Sequence, residues 1–289
     1  MSDATDIGVL RVTCPDGPGI VAAITRWLSE RGANITQSDQ YSTDPRGGTF
    51  FLRMAFHLPG LAASLDDLAP AFAADVGEGF AMDFALTDAG IPKRVAIMVS
   101  REDHALMDLL WRWRRRDLFA DIGVVVSNWP DLREPVASFG VPYHVTPVTP
   151  ETKPLAEAAQ LEILGDGRYD LIVLARYMQI LSGEFLERVG CPVINIHHSF
   201  LPAFAGAGPY QRAKERGVKL IGATAHYATT DLDEGPIIEQ DVIRISHRDT
   251  AADMARMGAD VERTVLQRAV RWHCEDRILL HGNTTVVFP

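Results

Sequence analysis

Two stretches of the 289-residue sequence combine side chains that can move protons and bind developing charge. The first, NIHHSFLPAF, spans residues 195–204 and contains Asn195, His197 and His198. The second, TAHYATTDLDEGPII, spans residues 224–238 and carries one histidine and three acidic residues. An amide, an imidazole and a carboxylate together suit acyl transfer without a covalent enzyme intermediate, because each can assist at a different proton or charge.

Each of these groups has a predicted role in such a reaction. The amide of Asn195 can hold an oxyanion. The imidazole of His197 can stabilise that charge or pass a proton to the leaving nitrogen, and the carboxylate of Asp233 can take a proton from the nucleophile. The sequence has no GxSxG elbow and no catalytic Cys–His signature, and we interpret Ser199 as a turn or cap residue.

A metal centre is the first alternative interpretation of the paired histidines. Neighbouring strand residues point to opposite faces, so His197 and His198 cannot readily bind one metal, whereas Asn195 and His197 share a face. No HExxH or CxxC motif occurs. The sequence therefore predicts neither a metal nor a cofactor.

The acidic loop also has a simpler interpretation. Asp231, Asp233 and Glu234 precede a Gly-Pro pair and a short apolar strand, a pattern typical of a solvated turn. Taken by itself the loop favours that interpretation. Its position after a strand that carries His226, in a chain that also carries Asn195 and His197, favours a site instead.

The elements that must position these residues alternate between strand and helix. Apolar runs predict strands at residues 94–99, 122–127, 142–145, 171–174 and 193–196, with helices at 106–114 and 154–164. This alternation predicts a doubly wound, mostly parallel α/β domain. Ligands of such sheets bind beyond the carboxyl ends of the strands, where Asn195 lies.

The first part of the chain has a different order. Residues 7–14, 35–41, 49–57 and 80–87 are predicted strands, and residues 20–31 and 61–76 are predicted helices. The order βαββαβ is typical of a ferredoxin-like unit. Residues 88–92 are a predicted linker, which gives domains at 1–88 and 93–289.

Composition excludes several function classes. The chain has 28 basic and 38 acidic residues, a net charge of −10, which disfavours nucleic-acid binding. Three widely spaced cysteines, no signal-peptide pattern at the N-terminus and no long apolar run predict a reduced, cytoplasmic protein that does not bind membranes.

Taken together, the two stretches resemble the signature of the folate-dependent formyltransferases, over roughly residues 94–243. The resemblance implies that Asn195, His197 and Asp233 are catalytic. It also implies a folate-binding segment within residues 175–182 (ARYMQILS). The implied substrate-binding residues are Tyr177, Met178, Gln179, Ile180, Leu181, His226, Thr229 and Asp231.

The N-terminal unit resembles an ACT domain through CPDGPGI at residues 14–20 and GANI at residues 32–35. Such domains dimerise and bind amino acids, which implies a homo-oligomer, a dimer or tetramer, and a possible amino-acid effector. The implied effector-binding residues are Asp16, Gly17, Pro18, Gly19, Asn34 and Ile35. A domain that serves only as a dimer interface is the alternative.

An ACT domain joined to a formyltransferase domain resembles the formyltetrahydrofolate deformylases. One departure from the transformylases bears on the acceptor: residues 100–105 read SREDHA, without the glycines that cradle a substrate phosphate and with two adjacent carboxylates. The expected function is hydrolysis of 10-formyltetrahydrofolate to tetrahydrofolate and formate. A formyltransferase to an amine acceptor and a non-enzymatic amino-acid sensor are the alternatives.

Overall fold

The computed structural model describes residues 5–202 and 209–289, so Ala203 and Phe204 of the first stretch lie outside the described part. The chain divides into two compact units. Unit 1 comprises Met1–Pro92, Glu275–His281 and Val286–Pro289, and unit 2 comprises Lys93–Cys274 and Gly282–Thr285. The division follows Pro92, and residues 275–281 and 286–289 of the predicted second domain pack with unit 1 instead.

Unit 1 is built on a four-stranded antiparallel sheet. Its elements are β1 (Ile7–Pro15), α1 (Ile20–Glu30), β2 (Asn34–Ser42), β3 (Thr49–His57), α2 (Leu61–Phe72) and β4 (Asp83–Asp88). The strand order β2-β3-β1-β4 confirms the predicted ferredoxin-like fold. The predicted second helix continues beyond Phe72 as a π-helical turn, Ala73–Gly77. Strand β4 begins at Asp83 rather than Phe80, since Ala81 has a left-handed φ of 51°.

Helix α1 packs on this sheet through the face that its apolar spacing predicts. The buried residues are Ile20, Ile24, Trp27 and Leu28. Gly19 before the helix has φ 93° and Gly32 after it has φ 79°, conformations that glycine adopts without a steric penalty from Cβ. The two glycines therefore set where the helix begins and ends.

The other face of the sheet is covered by the C-terminal segment Glu275–His281. Arg53 of β3 is 5% exposed and alternates with residues of the helix-side core, so it points to this face. Its guanidinium donates to the backbone carbonyls of Asp276 and Glu275, each at 3.0 Å. The carboxylate of Asp276 pairs with Arg11 at 3.2 Å. Ion pairs and hydrogen bonds of these charged residues thus hold the segment Glu275–His281 on the sheet of unit 1.

Unit 2 contains a seven-stranded sheet with helices between the strands. Its elements are β5 (Lys93–Val99), α3 (His104–Arg114), β6 (Ala120–Ser127), α4 (Arg133–Ala137), β7 (Tyr143–Val145), α5 (Lys153–Gly167), β8 (Leu171–Leu174), α6 (Gly183–Arg188), β9 (Val193–His197), α7 (Pro209–Arg216), β10 (Leu220–Tyr227), β11 (Ile237–Arg244) and α8 (Ala251–Cys274). Two short strands, β12 (Ile278–His281) and β13 (Thr284–Val287), pair with each other near the C-terminus.

The strand order in unit 2 is β11-β10-β9-β8-β5-β6-β7. Neighbours from β7 to β9 are parallel, and β10 is antiparallel to both β9 and β11. This arrangement confirms the predicted mostly parallel α/β fold. Within the described ranges, 5–202 and 209–289, no helix is long and apolar enough to cross a membrane.

Replacing Arg53 with methionine should destabilise the protein by about 2–4 kcal/mol, because two buried carbonyls lose their donor and Asp276 loses a nearby cation. Urea unfolding followed by circular dichroism measures the effect. Arg46, which is exposed, supplies the matched control, and Arg46→Met should change stability by less than about 0.5 kcal/mol. Equal unfolding midpoints for the two variants would refute this account of the C-terminal segment.

Candidate active site

Strands β9 and β10 place three polar side chains on one face of the sheet. Asn195 and His197 are two residues apart in β9, so their side chains project from the same face. The antiparallel register pairs Asn195 with His226 of β10. Because directly opposed residues project to the same side, the structure joins His226 to the predicted pair.

The loop between β10 and β11 brings Asp233 to these side chains. Its Oδ1 lies 3.2 Å from His197 Nδ1 and 3.7 Å from His226 Nε2. Asp233 has a left-handed φ of 58°, which Asp and Asn adopt more readily than most residues. A Cβ on Gly235 would lie 1.8 Å from the carbonyl oxygen of Tyr227, so the return of the loop requires glycine there.

Hydrogen-bond partners define which atoms of His226 carry hydrogen. Its Nδ1 lies 3.0 Å from the carbonyl oxygen of Tyr227, which can only accept, so Nδ1 donates. Its Nε2 lies 3.2 Å from Asn195 Nδ2 and accepts one amide hydrogen. The second hydrogen of the Asn195 amide remains available to a bound oxygen. His226 therefore orients the amide as a donor.

The charge distribution keeps Asp233 ionised. The hydrogen bond from His197 holds the pKa of the Asp233 carboxyl well below its usual range, against the effect of burial. His197 is 7% exposed. Its Nε2 is buried and has no hydrogen-bond partner among the residues that the structure describes. His197 thus offers an unused nitrogen beside an ionised carboxylate.

These groups line a cleft with a volume of about 350 Å³. Of the predicted substrate-binding residues, seven line it: Tyr177, Met178, Gln179, Ile180, Leu181, His226 and Thr229. Asp231 does not line it, and its carbonyl instead accepts hydrogen bonds inside the loop from Thr229 and Glu234. Met178, Ile180 and Leu232 are 55%, 61% and 59% exposed, so the cleft presents apolar surface to a ligand.

The segment after β8 is held by buried hydrogen bonds. The backbone N–H of Met178 donates to Ser100 Oγ at 2.9 Å. Gln160 donates to the hydroxyl of Tyr177 at 2.8 Å, and burial raises the pKa of Tyr177 to about 12. Glu157 accepts from the backbone of Ser182 at 3.0 Å. The backbone that faces the cleft is therefore fixed before a ligand binds.

Sequence reasoning missed Arg176 and His198, which also line the cleft. Arg176 lies inside the ARYMQILS segment. It follows a buried strand and directly precedes the predicted binding residues Tyr177 and Met178, and this position was the signal that could have identified it. The sequence suggests His198 only as a candidate metal ligand. It stacks on His197 with ring centroids 5.3 Å apart. Among the described residues, no three His, Cys, Asp or Glu side chains are arranged to hold a metal ion.

The six predicted effector-binding residues fall into two groups that one chain does not bring together. Asp16, at the end of β1, donates its backbone N–H to Gly48 and accepts from Ser42 at 2.6 Å. Asn34 pairs with His57 at the other end of β3. The two groups are thus separated by roughly 25 Å, the length of these strands.

Two family models match the chain. The Formyl transferase model matches residues 93–270, and the ACT domain model matches residues 8–69. A Mycobacterium bovis protein named formyltetrahydrofolate deformylase is 59% identical over 98% of this chain and 91% of its own length. A Bacillus subtilis protein of the same name is 53% identical over 98% of this chain and 94% of its own length.

Solved structures agree with these matches. A formyltetrahydrofolate deformylase from Pseudomonas syringae superposes with a TM-score of 0.93 at 48% identity, over 98% of this chain and 94% of that one. A glycinamide ribonucleotide transformylase from Symbiobacterium toebii superposes with a TM-score of 0.64 at 29% identity, over 68% of this chain and 95% of that one. The chain therefore belongs to the formyl transferase family, and its ACT domain and full-length similarity place it among the formyltetrahydrofolate deformylases.

Proposed function

We propose that this protein hydrolyses 10-formyltetrahydrofolate to tetrahydrofolate and formate. The observation that carries the proposal is the 3.2 Å contact between His197 and Asp233 beside the amide of Asn195, inside an apolar cleft. A cleft of this kind suits a flat heteroaromatic ring with a formyl group at its polar end. The shared name of the relatives, at 59% and 53% identity, supports the same substrate.

Water is the nucleophile in this mechanism, and Asp233 orients it. The low pKa of Asp233 keeps the carboxylate ionised, which makes it a good hydrogen-bond acceptor but a weak base. The water therefore attacks the formyl carbon first. Once its oxygen has bonded to that carbon, the water becomes strongly acidic and gives a proton to the Asp233–His197 pair.

Asn195 and His197 act on the tetrahedral intermediate. The free N–H of the Asn195 amide donates to the oxyanion, and a protonated Nε2 of His197 does the same. The proton on Nε2 then passes to N10 of the folate as the bond between carbon and N10 breaks. Formic acid leaves with the oxygen of the water and loses its proton to solvent to become formate, and the first proton lost by the water has moved to N10. We propose that the reaction needs no metal and no cofactor.

The loop after β5 supports water rather than a phosphorylated amine as the acceptor. Ser100 is buried, and its hydroxyl donates a hydrogen bond to Asn128 Oδ1 at 2.7 Å. The guanidinium carbon of Arg101 lies 3.6 Å from the centre of the Trp129 ring. The next two residues, Glu102 and Asp103, are exposed carboxylates that would repel a phosphate. A cation that stacks on an aromatic ring and two exposed carboxylates do not form a phosphate-binding site.

We further propose that the ACT domain binds an amino-acid effector and that the protein is a cytoplasmic homo-oligomer, a dimer or tetramer. The family match over residues 8–69 supports the effector. Asp16 and Asn34 lie at opposite ends of their sheet, so an effector that contacts both groups of residues needs a second copy of the chain.

Asp233→Asn should lower kcat by about 10²–10⁴-fold, because asparagine cannot accept the proton or hold the charge on His197. Asparagine has the same shape and tolerates φ 58°, so the loop should keep its conformation. Formate release from 10-formyltetrahydrofolate, with chelator and without an amine acceptor, measures the effect.

Glu234→Gln is the matched control for that variant, since Glu234 is the adjacent, exposed carboxylate outside the cleft, and it should keep near-full activity. Near-full activity of Asp233→Asn would exclude the assigned role. Loss of wild-type activity on adding chelator would exclude the metal-free mechanism, and formate release only with an added amine would identify a transferase.

Asn195→Asp should lower kcat by about 10²–10³-fold, because the variant removes the donor and adds a charge that repels the oxyanion. The KM for 10-formyltetrahydrofolate should change much less, since the interaction forms mainly in the transition state. Steady-state kinetics of the two proteins separate these quantities. A change confined to KM would show that Asn195 binds the ground state instead.

A further inference from the structure

A cluster of four polar side chains adjoins the catalytic residues, and the mechanism does not use it. Glu262 of α8 accepts from His104 at 2.8 Å and from the hydroxyl of Tyr210 at 3.0 Å. Arg176, just after β8, approaches the same carboxylate at 3.5 Å. The four residues lie on α3, α7, α8 and the segment after β8, and Glu262 is only 2% exposed.

Two backbone features allow these four side chains to meet. A Cβ on Gly258 would lie 2.0 Å from the hydroxyl of Tyr210, so only glycine lets that ring reach Glu262. Arg176 has a left-handed φ of 62°, a conformation that is strained for arginine. Burial raises the pKa of Glu262, but the hydrogen bond to His104 and the charge of Arg176 outweigh it, and the net effect lowers that pKa. Glu262 is therefore a buried anion, and both of its carboxylate oxygens already accept hydrogen bonds.

Arg176 keeps unused hydrogen-bonding capacity. Its Nε and Nη1 are buried and have no hydrogen-bond partner within residues 5–202 and 209–289. The residues between those ranges read AFAGAG and carry no acidic side chain. Its contact with Glu262 at 3.5 Å is an ion pair without hydrogen-bond geometry. A buried guanidinium with free N–H groups favours a planar anion such as a carboxylate.

The position of Arg176 points to the end of the cleft where the reaction occurs. Arg176 lines the cleft, and its charge acts on His198, whose pKa is lowered to about 4, first by burial and then by Arg176. His198 in turn stacks on His197. The Arg176 side chain is 13% exposed and lines the cleft, so part of it is open to a bound anion.

We infer that Arg176 forms a carboxylate subsite that binds the formate product beside His197. This inference rests on the proposed function, because hydrolysis produces formate at that place. The subsite holds the carboxylate once formic acid has lost its proton, and this anion is a poorer acyl donor to the amine than the acid, which disfavours its return. A glutamate carboxylate of a folate is the other source of the same chemistry, and the test must separate the two.

The test measures binding without turnover. Asp233→Asn protein is titrated with ¹³C-formate by saturation-transfer NMR, at constant ionic strength set with sodium chloride, and the titration is repeated with 4-aminobenzoyl-glutamate. The double variant that adds Arg176→Lys keeps the charge beside Glu262 but loses the planar fork, and it should bind formate at least about 10-fold more weakly. Circular dichroism and the Tm confirm that both proteins fold.

Three outcomes would overturn the inference: no saturable formate binding, equal formate affinity with lysine at position 176, or a loss of affinity confined to 4-aminobenzoyl-glutamate.

Inhibition by formate gives a second test, in protein that keeps Asp233. Formate should inhibit hydrolysis, and Arg176→Lys should weaken that inhibition at least about 10-fold. If formate binds through Arg176 but the unchanged protein releases no formate from 10-formyltetrahydrofolate, the proposed function fails while the subsite stands. If the unchanged protein hydrolyses 10-formyltetrahydrofolate normally but Arg176→Lys does not alter inhibition by formate, the subsite fails while the proposed function stands.

Discussion

The antiparallel pairing of β9 with β10 is the constraint on which the candidate active site depends. Its register sets Asn195 opposite His226, and the connection from β10 to β11 then returns Asp233 to His197. A shift of one residue would turn His226 to the opposite face, and the Asn195 amide would lose the partner that orients it. The backbone ladder therefore fixes the proton donors before any substrate contact forms.

Buried charges complement this ladder in both units. In unit 1, Arg53 and Asp276 fix the C-terminal segment on the sheet, and in unit 2, Glu262 joins α8 to residues of α3, α7 and the segment after β8. Burying such groups is costly unless each is paired and hydrogen-bonded, so alternative packings would leave charges unsatisfied. Where Arg176 keeps N–H groups without a hydrogen-bond partner among the described residues, despite that cost, the cleft gains a place for an anion.

The cleft combines a fixed backbone with exposed apolar side chains. Met178 and Ile180 remain more than half exposed, while Ser100 and Glu157 hold the adjoining backbone by hydrogen bonds. A ligand that covers the apolar surface gains hydrophobic free energy and has little backbone left to order. The same rigidity keeps the ring-binding segment in a constant position relative to His197, as a reaction at one defined atom requires.

By itself the sequence determined the elements of unit 1, the strands β5 to β9 of unit 2 and the shared face of Asn195 and His197, because periodicity and strand alternation are local properties. Its resemblance to the formyltransferases also indicated the run of residues along the cleft from Tyr177 to Leu181. Only the tertiary structure decided that β10 runs antiparallel to β9, that residues 275–281 pack with unit 1, and that Arg176 meets Glu262. These contacts join residues far apart in the chain, and they depend on which faces meet when the sheets and helices pack, which no local pattern records.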